Sequence, residues 1–281
     1  MIFKRYWWLW MILGIIILYG FAAAIGKALT NEIAIVRITG TIDNSKEIVN
    51  WIETLKGRPQ VRGVLLYINS PGGGIVPSDE IYRSIIEFKK VTKKPVVAYL
   101  GSVAASGGYY IACSADYIIA HPMSLTGSIG VIFEIPVVKN LMDKIGVEMV
   151  VIKSGPNKDM GSPFKKMTEE ERKIIESIIS QGYSNFIKVV ADARKISEDS
   201  VRKIADGRVL TGQDAYKLGL VDTLGDLSLA KNKIKSLAGV KGPVAFTEKK
   251  RLPYFLRVLN PEDEGISKIL MPHLEYRMVL Q

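Results

Sequence analysis

The sequence predicts an α/β protein built on a mostly parallel sheet, and two observations carry this prediction. Apolar, β-rich runs typical of buried strands alternate along the chain with segments of helical spacing. Several of these runs end in glycine-rich turns, as strand-to-helix connections do. With 281 residues, 48% of them hydrophobic, the chain is long enough for one large α/β domain or two small ones.

The N-terminus is predicted to be a membrane anchor. No charge occurs over Tyr6–Gly26, and a helix of these 21 residues would be about 31 Å long, close to the hydrocarbon thickness of a bilayer. Lys4 and Arg5 precede the span, which favours a cytoplasmic N-terminus and an extracytoplasmic remainder. A cleaved signal peptide is the alternative, since Ala22–Ala24 resembles a cleavage site. The apolar run is longer than a usual signal core, so we expect a retained single-pass anchor in the cell membrane, over residues 1–29.

The first half of the remaining chain is predicted to alternate strands and helices. Strands are predicted where short apolar runs contain many β-branched residues, at Ile33–Ile38, Gly63–Ile68, Pro95–Leu100, Tyr117–Ala120, Gly130–Phe133 and Val147–Ile152. Helices are predicted between them, at Lys46–Leu55, Ser78–Lys90, Ser106–Ser114 and Val137–Lys144.

The second half is predicted to be mostly helical. Thr168 and Glu171 have the spacing of a capping box, and the helix that they open is expected to reach about Arg194. Shorter helices are predicted at Glu198–Ala205, Gly212–Leu218 and Leu227–Leu237. The tail after Pro243 shows no clear period.

Composition excludes several classes of function. The formal charge of +10 is spread along the chain, with no basic block longer than Lys249–Arg251, which argues against nucleic-acid binding and suits a surface beside an anionic membrane. A single cysteine, Cys113, excludes an intramolecular disulfide, and we expect it to be a small core residue. With one cysteine and two histidines, a zinc site is not expected, and no phosphate-binding glycine motif occurs. We therefore predict neither a metal nor a cofactor.

Three small-residue segments are candidates for a functional site. They are Asn69–Gly74, Gly101–Gly108 and Ser124–Gly130, each at or just after the carboxyl end of a predicted strand, where ligands bind in open α/β sheets. The simpler interpretation is a set of tight turns. Ser106 is predicted to open a helix, so it is either an ordinary N-cap or a nucleophile beside exposed backbone N–H groups.

A serine nucleophile needs a base, and the sequence offers two kinds. His121, with Asp116, could complete a triad, whereas His273 lies in the irregular tail. A lysine is the alternative base, as in Ser-Lys hydrolases. A free lysine with a pKa of about 10.4 is neutral in roughly one molecule in 2,500 at pH 7, so its site must desolvate it or hold other positive charge nearby. Composition does not select that lysine.

Four segments, taken together and in this order, resemble the short form of the signal peptide peptidase A family, which are Ser-Lys serine proteases of the Clp protease/crotonase superfamily. They are Leu65–Gly74, Gly101–Tyr110, Leu125–Ile132 and Lys153–Met167. The resemblance covers about residues 30–240. It implies a Clp protease/crotonase-like superhelical β-β-α fold with a mostly parallel sheet, in addition to the N-terminal transmembrane helix.

The resemblance also implies the role of each site residue. Ser106 would be the nucleophile, Lys158 the general base, and Ser128 the hydroxyl that orients the lysine amine. The oxyanion would be bound by backbone amides of Gly73 and Gly107, with Gly72 as the neighbouring possibility. Around the base, Lys153, Lys165 and Lys166 are either solvated or depress its pKa by repulsion, and Asp159 either pairs with one of them or is a structural cap.

The resemblance implies that the protein is a membrane-anchored serine endopeptidase. Its substrates would be remnant signal peptides or other hydrophobic peptides left after protein export. Apolar Val103 and Ile132–Phe133 could line its subsites. The family assembles into a dome-shaped homo-oligomeric ring, an octamer in the short form, through a projecting helical arm at about residues 160–200. The domains would then be the anchor, a protease domain over residues 30–240, and a tail over residues 241–281.

Three other functions stay open, as does the role of the tail. A crotonase-fold protein could act on acyl thioesters, a stomatin-type protease could process membrane proteins with the same chemistry, and a catalytically silent scaffold could bind peptides by strand addition. The last residues, Tyr276–Gln281, could fray, dock on a neighbouring copy, or enter an active site as a pseudo-substrate.

Overall fold

The computed structural model describes residues 10–19, 31–249 and 274–277. The strands among them are β1 (Glu32–Thr39), β2 (Val61–Ser70), β3 (Gly72–Gly74), β4 (Val96–Ala105), β5 (Tyr117–Ala120), β6 (Leu125–Gly127), β7 (Ile132–Phe133), β8 (Val209–Thr211), β9 (Thr223–Leu224), β10 (Ala245–Glu248) and β11 (Leu274–Arg277). The helices are α1 (Lys46–Lys56), α2 (Ile75–Thr92), α3 (Gly107–Ala112), α4 (Lys139–Ile145), α5 (Glu169–Arg194), α6 (Glu198–Arg202), α7 (Gly212–Lys217) and α8 (Leu227–Leu237).

The main sheet is mostly parallel, as the sequence predicts. Its strand order is β10-β1-β2-β4-β5-β9, with β6 beside β4 and β8 beside β6. Every pair in it is parallel except β6 with β8. A second sheet of three strands, in the order β3-β11-β7, is antiparallel throughout. The parallel pairs are joined by crossovers, which cover the sheet with helices.

Both faces of the main sheet are buried. Alternate residues of β1 point to opposite faces, so that Ile33 packs in a cluster with Ile234 of α8, whereas Val36 packs in the larger cluster with Ile81 of α2 and Phe186 of α5. Burying one such side chain completely contributes about 1.5–3 kcal/mol. This two-sided burial explains why the middle parts of β1, β2 and β4 are apolar at successive positions rather than at alternate ones.

One of the sequence predictions about strands is wrong. Residues Val147–Ile152 form no strand and lie at the surface, where Ile152 is 96% exposed.

The tail after Pro243, whose sequence shows no clear period, contains two strands. β10 extends the main sheet beyond residue 240, and β11 lies in the second sheet. Both strands are short, and their partners are distant in sequence, so no local period reveals them.

Helix α5 begins at the predicted capping box. The Thr168 hydroxyl accepts a hydrogen bond from the Glu171 N–H, and the Glu171 carboxylate accepts one from the Thr168 N–H. The first half of the helix is mostly exposed, but its second half is buried at Phe186, Ile187 and Val190. The second half of the region expected to project as an arm is therefore part of the core.

Of the predicted membrane span, residues 10–19 are described and are helical, with exposed side chains. The rest of Tyr6–Gly26 lies outside the described residues. None of the helices described here is both long and apolar enough to cross a bilayer.

A surface segment over residues 137–152, which we term the apolar segment, contains α4 and the irregular chain that follows it. It exposes eight large apolar side chains, namely Val137, Leu141, Ile145, Val147, Met149, Val150, Val151 and Ile152. So much contiguous apolar surface on a chain that is otherwise well packed is typical of an interaction surface.

Candidate active site

Three strand ends meet at the carboxyl edge of the main sheet. The register pairs Ser70 of β2 with Ala104 of β4, and Ala104 with Thr126 of β6. Helix α3 packs tightly against this edge, because a Cβ on Gly108 would lie 3.0 Å from the Ser70 carbonyl oxygen. The three small-residue segments of the sequence are thus brought together by the parallel register of three strands.

Ser106 lies between β4 and α3 in a strained backbone conformation. Its φ of 52° and ψ of −117° belong to a region that side-chain-bearing residues rarely occupy. Two backbone hydrogen bonds fix the conformation. The Ser106 N–H donates to the Gly127 carbonyl at 2.8 Å, and the Ser106 carbonyl accepts from the Tyr110 N–H at 2.8 Å. A serine held in this way has its side-chain direction set by the fold.

The Ser106 hydroxyl has no hydrogen-bond partner within the described chain, although the residue is 99% buried. It stands at the N-cap position of α3 but makes no capping hydrogen bond. The N-cap interpretation therefore does not account for this serine. Buried hydroxyl groups ordinarily have a hydrogen-bond partner. An unpaired one at a glycine-rich sheet edge therefore suggests a reactive group rather than a structural one.

Ser128 follows β6 and also has a positive φ, of 50°. Its N–H donates to the Arg208 carbonyl at 2.9 Å, and the residue is buried. In the described chain, the other two non-glycine residues with positive φ, Lys93 and Lys195, end helices, where such a conformation is common. Apart from these two helix C-caps, positive φ among the described non-glycine residues is thus confined to the two serines to which the resemblance gives site roles.

The glycine strand β3 follows Ser70, and its three amides do not all point the same way. Gly72 donates its N–H to the Ser70 hydroxyl at 3.1 Å, and Gly74 donates its N–H to the Ile42 carbonyl at 2.9 Å. Because amides alternate in direction along a strand, the Gly73 N–H points to the opposite side. A Cβ on Gly73 would lie 2.7 Å from the Ile42 carbonyl carbon, so only glycine allows this approach.

Two of the three expected oxyanion donors have amides that are not bound within their own segment. The Gly73 N–H is on the side of β3 where Tyr276 of β11 pairs with it, and Gly107 is buried at the first position of α3, where an N–H has no partner within the helix. Gly72, the third possibility, has its N–H bound to Ser70. The geometry thus favours Gly73 and Gly107 over Gly72 as donors to an oxyanion.

Lys158 lies in an exposed turn. Its N–H donates to the Gly155 carbonyl at 3.3 Å, and its side chain is exposed. Within the described residues no hydrogen bond joins its amine to Ser106. The strand register therefore brings the segments with Ser106, Ser128 and the glycines together, whereas the Lys158 amine forms no hydrogen bond with the candidate nucleophile.

A charge network anchors the turn that carries Lys158. The Asp159 carboxylate accepts hydrogen bonds from Lys153 (2.6 Å) and Lys165 (2.8 Å), which hold the pKa of Asp159 at about 2. Lys165 also pairs with Glu171, so the pKa of Lys165 is raised by Asp159 and then by Glu171. Asp159 thus pairs with Lys153 and Lys165, and Glu171 links Lys165 to the start of α5.

The alternative base, His121, is not assembled into a triad. It is exposed, and its Nδ1 accepts the Met123 N–H at 3.2 Å. Asp116 instead accepts the Val96 N–H at 2.8 Å and pairs with Lys89 at 2.7 Å. His273 lies outside the described residues.

The remaining groups are not arranged for metal or thiol chemistry. In the part of the chain that the structure describes, no three His, Cys, Asp or Glu side chains are grouped as metal ligands. Cys113 is buried among the core residues, as expected, and burial raises the pKa of its thiol to about 12. At neutral pH this cysteine is not a nucleophile.

Sequence reasoning missed one element of the site, the strand β11. It lies between β3 and β7, so the predicted subsite residues Ile132–Phe133 pair with the C-terminal tail. The only local signal is an alternation too short to be assigned, and the interpretation of the tail as a pseudo-substrate was one of three left open.

The chain is similar to known proteases over most of its length. Peptidase family S49 matches residues 88–241, and the Clp protease family matches residues 21–126. A protein of Methanocaldococcus jannaschii, named as a candidate protease, is 41% identical over 71% of this chain and 64% of its own length.

Two further relatives extend the comparison. A candidate protease of Synechocystis is 38% identical over 74% of this chain and 75% of its own length. A candidate signal peptide peptidase of Enterococcus faecium is 39% identical over 68% of this chain and 56% of its own length. The matched region thus spans less than two thirds of the first and third of these relatives.

Proposed function

The chain belongs to peptidase family S49, and from this membership we propose that it is an endopeptidase in which Ser106 attacks the peptide bond and Lys158 is the base. Its substrates would be hydrophobic peptides, among them signal peptides left in the membrane after export. The single observation that supports the assignment of the nucleophile is the strained, buried Ser106 with an unpaired hydroxyl.

The proposed reaction is an acyl transfer in two halves. Neutral Lys158 takes the hydroxyl proton as Ser106 Oγ bonds to the peptide carbonyl carbon, and the N–H groups of Gly73 and Gly107 bind the oxyanion. The C–N bond then breaks, and the leaving amine takes the proton from Lys158. A water, deprotonated by Lys158, attacks the ester and releases the second product and the Ser106 hydroxyl.

In this proposal Ser128 is a positioning residue. Its hydroxyl would accept a hydrogen bond from the Lys158 amine and direct the amine toward Ser106. The positive φ of Ser128 and its N–H bond to Arg208 support this role because they fix its backbone, and the preceding residue, Gly127, accepts the Ser106 N–H at 2.8 Å.

For this chemistry Lys158 must be carried to Ser106, and assembly of several copies is the proposed means. The turn with Lys158 adjoins the apolar segment, whose exposed side chains suit an interface. A ring of copies, an octamer by family resemblance, would bury that segment and enclose the site. Enclosure would also desolvate the lysine, which favours its neutral form.

The membrane location is part of the same proposal. An uncharged span at Tyr6–Gly26 would hold the protease domain on the extracytoplasmic side, near the peptides that export leaves behind. The resemblance to a protein named as a candidate signal peptide peptidase supports this substrate class.

The test is peptide hydrolysis by the full-length chain in detergent, with a fluorogenic hydrophobic peptide. We expect Ser106→Ala and Lys158→Ala each to lower kcat by roughly 10²–10⁴-fold. Lys166→Ala, which removes an exposed lysine from the same region, is the matched control and is expected to be active. Activity should rise between about pH 6 and pH 10, since the base must lose its proton.

Other outcomes assign a different function. Activity that survives Lys158→Ala but not His121→Ala would replace the proposed base with the histidine. A folded wild type that cleaves no peptide but binds one would favour the scaffold. Cleavage of an intact membrane protein, with no cleavage of free peptides, would favour a stomatin-type processing enzyme.

A further inference from the structure

The amino edge of the main sheet lies close along the chain to the predicted membrane anchor. Five residues, 27–31, separate the uncharged span Tyr6–Gly26 from Glu32, the first residue of β1. An extended chain covers at most about 3.6 Å per residue, so the start of β1 would lie within about 20 Å of a bilayer that holds the span. Residues at this edge are therefore within reach of lipid headgroups.

The parallel register brings basic residues from three strand starts to this edge. Glu32 stands beside Val61 of β2 and Ala245 of β10, and Val64 stands beside Val96 of β4. The residues that begin or precede these strands therefore share one edge, about 14 Å wide, since three strand spacings separate β10 from β4. Four basic residues there, three of them exposed and one half-buried, form what we term the basic edge, namely Arg62, Lys93, Lys94 and Lys241.

The positive charge of the basic edge is not neutralised by the described carboxylates. None of its four residues forms an ion pair within the described chain. The carboxylates nearby, at the start of β1, toward the ends of α1 and α2 and before β5, pair with other basic side chains, Glu32 with Arg58, Glu53 and Glu87 with Lys56, and Asp116 with Lys89.

Lys94 is held close to other positive charge. Its Nζ donates to the Arg58 carbonyl at 2.9 Å, and extending the register of β2 with β4 by two residues places Lys94 level with Arg62. The pKa of Lys94 is lowered, first by burial and then by the positive charge of Arg62. This repulsion between like charges would be relieved by a bound anion.

We propose that the basic edge binds the anionic headgroups of the bilayer that holds the anchor, so that the main sheet stands on the membrane. The inference rests on the membrane location in the proposed function. Each basic residue at an anionic surface strengthens binding by about fivefold, so four together give roughly several hundredfold. Because the ten residues of β2 rise about 3.3 Å each, the carboxyl edge with Ser106 would lie about 30 Å from the headgroups. A peptide embedded in the membrane would then have to leave the bilayer before Ser106 attacks it.

Fluorescence quenching in vesicles tests the inference with the full-length chain. A dye is attached through Ser236→Cys, in the last turn of α8 near the basic edge, or through Thr41→Cys, just beyond the opposite end of β1. The native Cys113 is buried, so the introduced cysteine is the one that reacts. The vesicles contain phosphatidylcholine, with or without phosphatidylglycerol, and a lipid whose spin-labelled headgroup quenches at short range.

The dye at residue 236 should be quenched severalfold more in the anionic vesicles than in phosphatidylcholine alone. The difference should disappear at about 1 M salt, where the Debye length falls to about 3 Å. The dye at residue 41 should be quenched little in either kind of vesicle, because it lies a strand length farther from the headgroups.

Charge variants identify the residues responsible. The extra quenching in anionic vesicles should be lost, with kcat in detergent unchanged, in the chain that carries Arg62→Gln, Lys93→Gln, Lys94→Gln and Lys241→Gln. The matched control loses the same charge far from the edge. Helix α5 ends beside Asp222 at the start of β9, and its 26 residues place its own start about 39 Å from that end. The control therefore changes four exposed residues at or near the starts of α1 and α5, with Lys46→Gln, Lys166→Gln, Arg172→Gln and Lys173→Gln, and should be quenched like the wild type.

The outcomes separate this inference from the proposed function. Equal quenching of the dye at residue 236 in the two kinds of vesicle, or in the wild type and the basic-edge variant, would overturn the inference whether or not the chain hydrolyses peptides. Flotation with phosphatidylcholine vesicles reports on the anchor alone. A chain that floats only with anionic vesicles, and not after the four basic-edge substitutions, would refute the anchor and support the basic edge. If those substitutions lower the assembled mass in light scattering without changing the quenching, the edge binds another copy and the inference is wrong.

Discussion

Ser106 combines two features that ordinarily destabilise a folded chain. A non-glycine residue with a φ of 52° is strained by about 1–3 kcal/mol. Its buried hydroxyl, unpaired within the described residues, adds about 1–3 kcal/mol of uncompensated desolvation. Neither feature improves packing, so both are explained most directly by the reactivity of the hydroxyl.

Replacing this serine should therefore stabilise the protein while abolishing its activity. We expect Ser106→Gly to raise the free energy of unfolding by about 1 kcal/mol or more, because glycine relieves the strain and removes the unpaired hydroxyl. Urea denaturation would measure the change, and peptide hydrolysis would measure the loss of activity.

A second buried serine provides the control for this prediction. The Ser124 hydroxyl donates to the Gly101 carbonyl at 2.6 Å, so Ser124→Ala should destabilise the fold by about 1–3 kcal/mol. A Ser106→Gly chain that is less stable than the wild type would show that the conformation at Ser106 has a structural role.

At the scale of elements, the turn with Lys158 is held by the charge network rather than by packing. Asp159 joins Lys153 to Lys165, and Glu171 joins Lys165 to the capping box of α5. The base is thus carried by a loop whose position depends on ionised carboxylates. Ion pairs of this kind weaken when the carboxylates are protonated.

Asp159→Asn should loosen this turn and lower kcat by about tenfold, since the lysine is then less well positioned. The pKa of Asp159 is lowered from 3.8 to about 2, so its contribution to stability is complete above about pH 4 and is lost as the pH falls toward 2. The difference in unfolding free energy between wild type and variant should therefore be constant above about pH 4 and vanish near pH 2.

Glu53→Gln is the matched control, because the exposed Glu53 carboxylate pairs with Lys56 in α1, outside both the network and the apolar segment. It should leave kcat unchanged. If Asp159→Asn retains the wild-type kcat, the network does not position the base.

At the scale of the whole molecule, one chain leaves its apolar segment exposed and forms no hydrogen bond between Lys158 and Ser106 within the described residues. Val150 and Ile152 are 76% and 96% exposed, and no described residue covers them. The docking of another copy, which we propose, would remove this apolar surface from water and close the site around Ser106.

The double variant Val150→Ser, Ile152→Ser should lower the assembled mass measured by light scattering and reduce peptide hydrolysis at least tenfold, without unfolding the chain. Each burial lost would weaken association by about 1 kcal/mol or more. Val91→Ser, which changes a 62% exposed valine at the end of α2, should leave both the mass and the activity unchanged. An unchanged mass in the double variant would exclude this segment as the interface.

The accuracy of the predictions from sequence differs between elements. The predicted bounds of strand β5 and of helix α8 agree with the structure to the residue. Their apolar pattern is local, and turn or capping residues mark their ends. The predicted strand at Val147–Ile152 failed for the opposite reason: its β-branched residues have strand propensity, but the fold gives them no edge to pair with.

The sequence by itself determined the fold class, the capping of α5 and which segments are candidates for the site. Those features follow from periodicity, from short-range capping and from the order of the motifs along the chain. Only the tertiary structure decided that Ser106 is strained, with a hydroxyl unpaired within the described residues, that the Gly72 N–H is bound to Ser70 whereas the Gly73 N–H points to the opposite side, and that β11 lies between β3 and β7. Each of these depends on residues far apart in sequence, such as Ile42 against Gly73 or Tyr276 opposite that same glycine, and no local pattern encodes such a meeting.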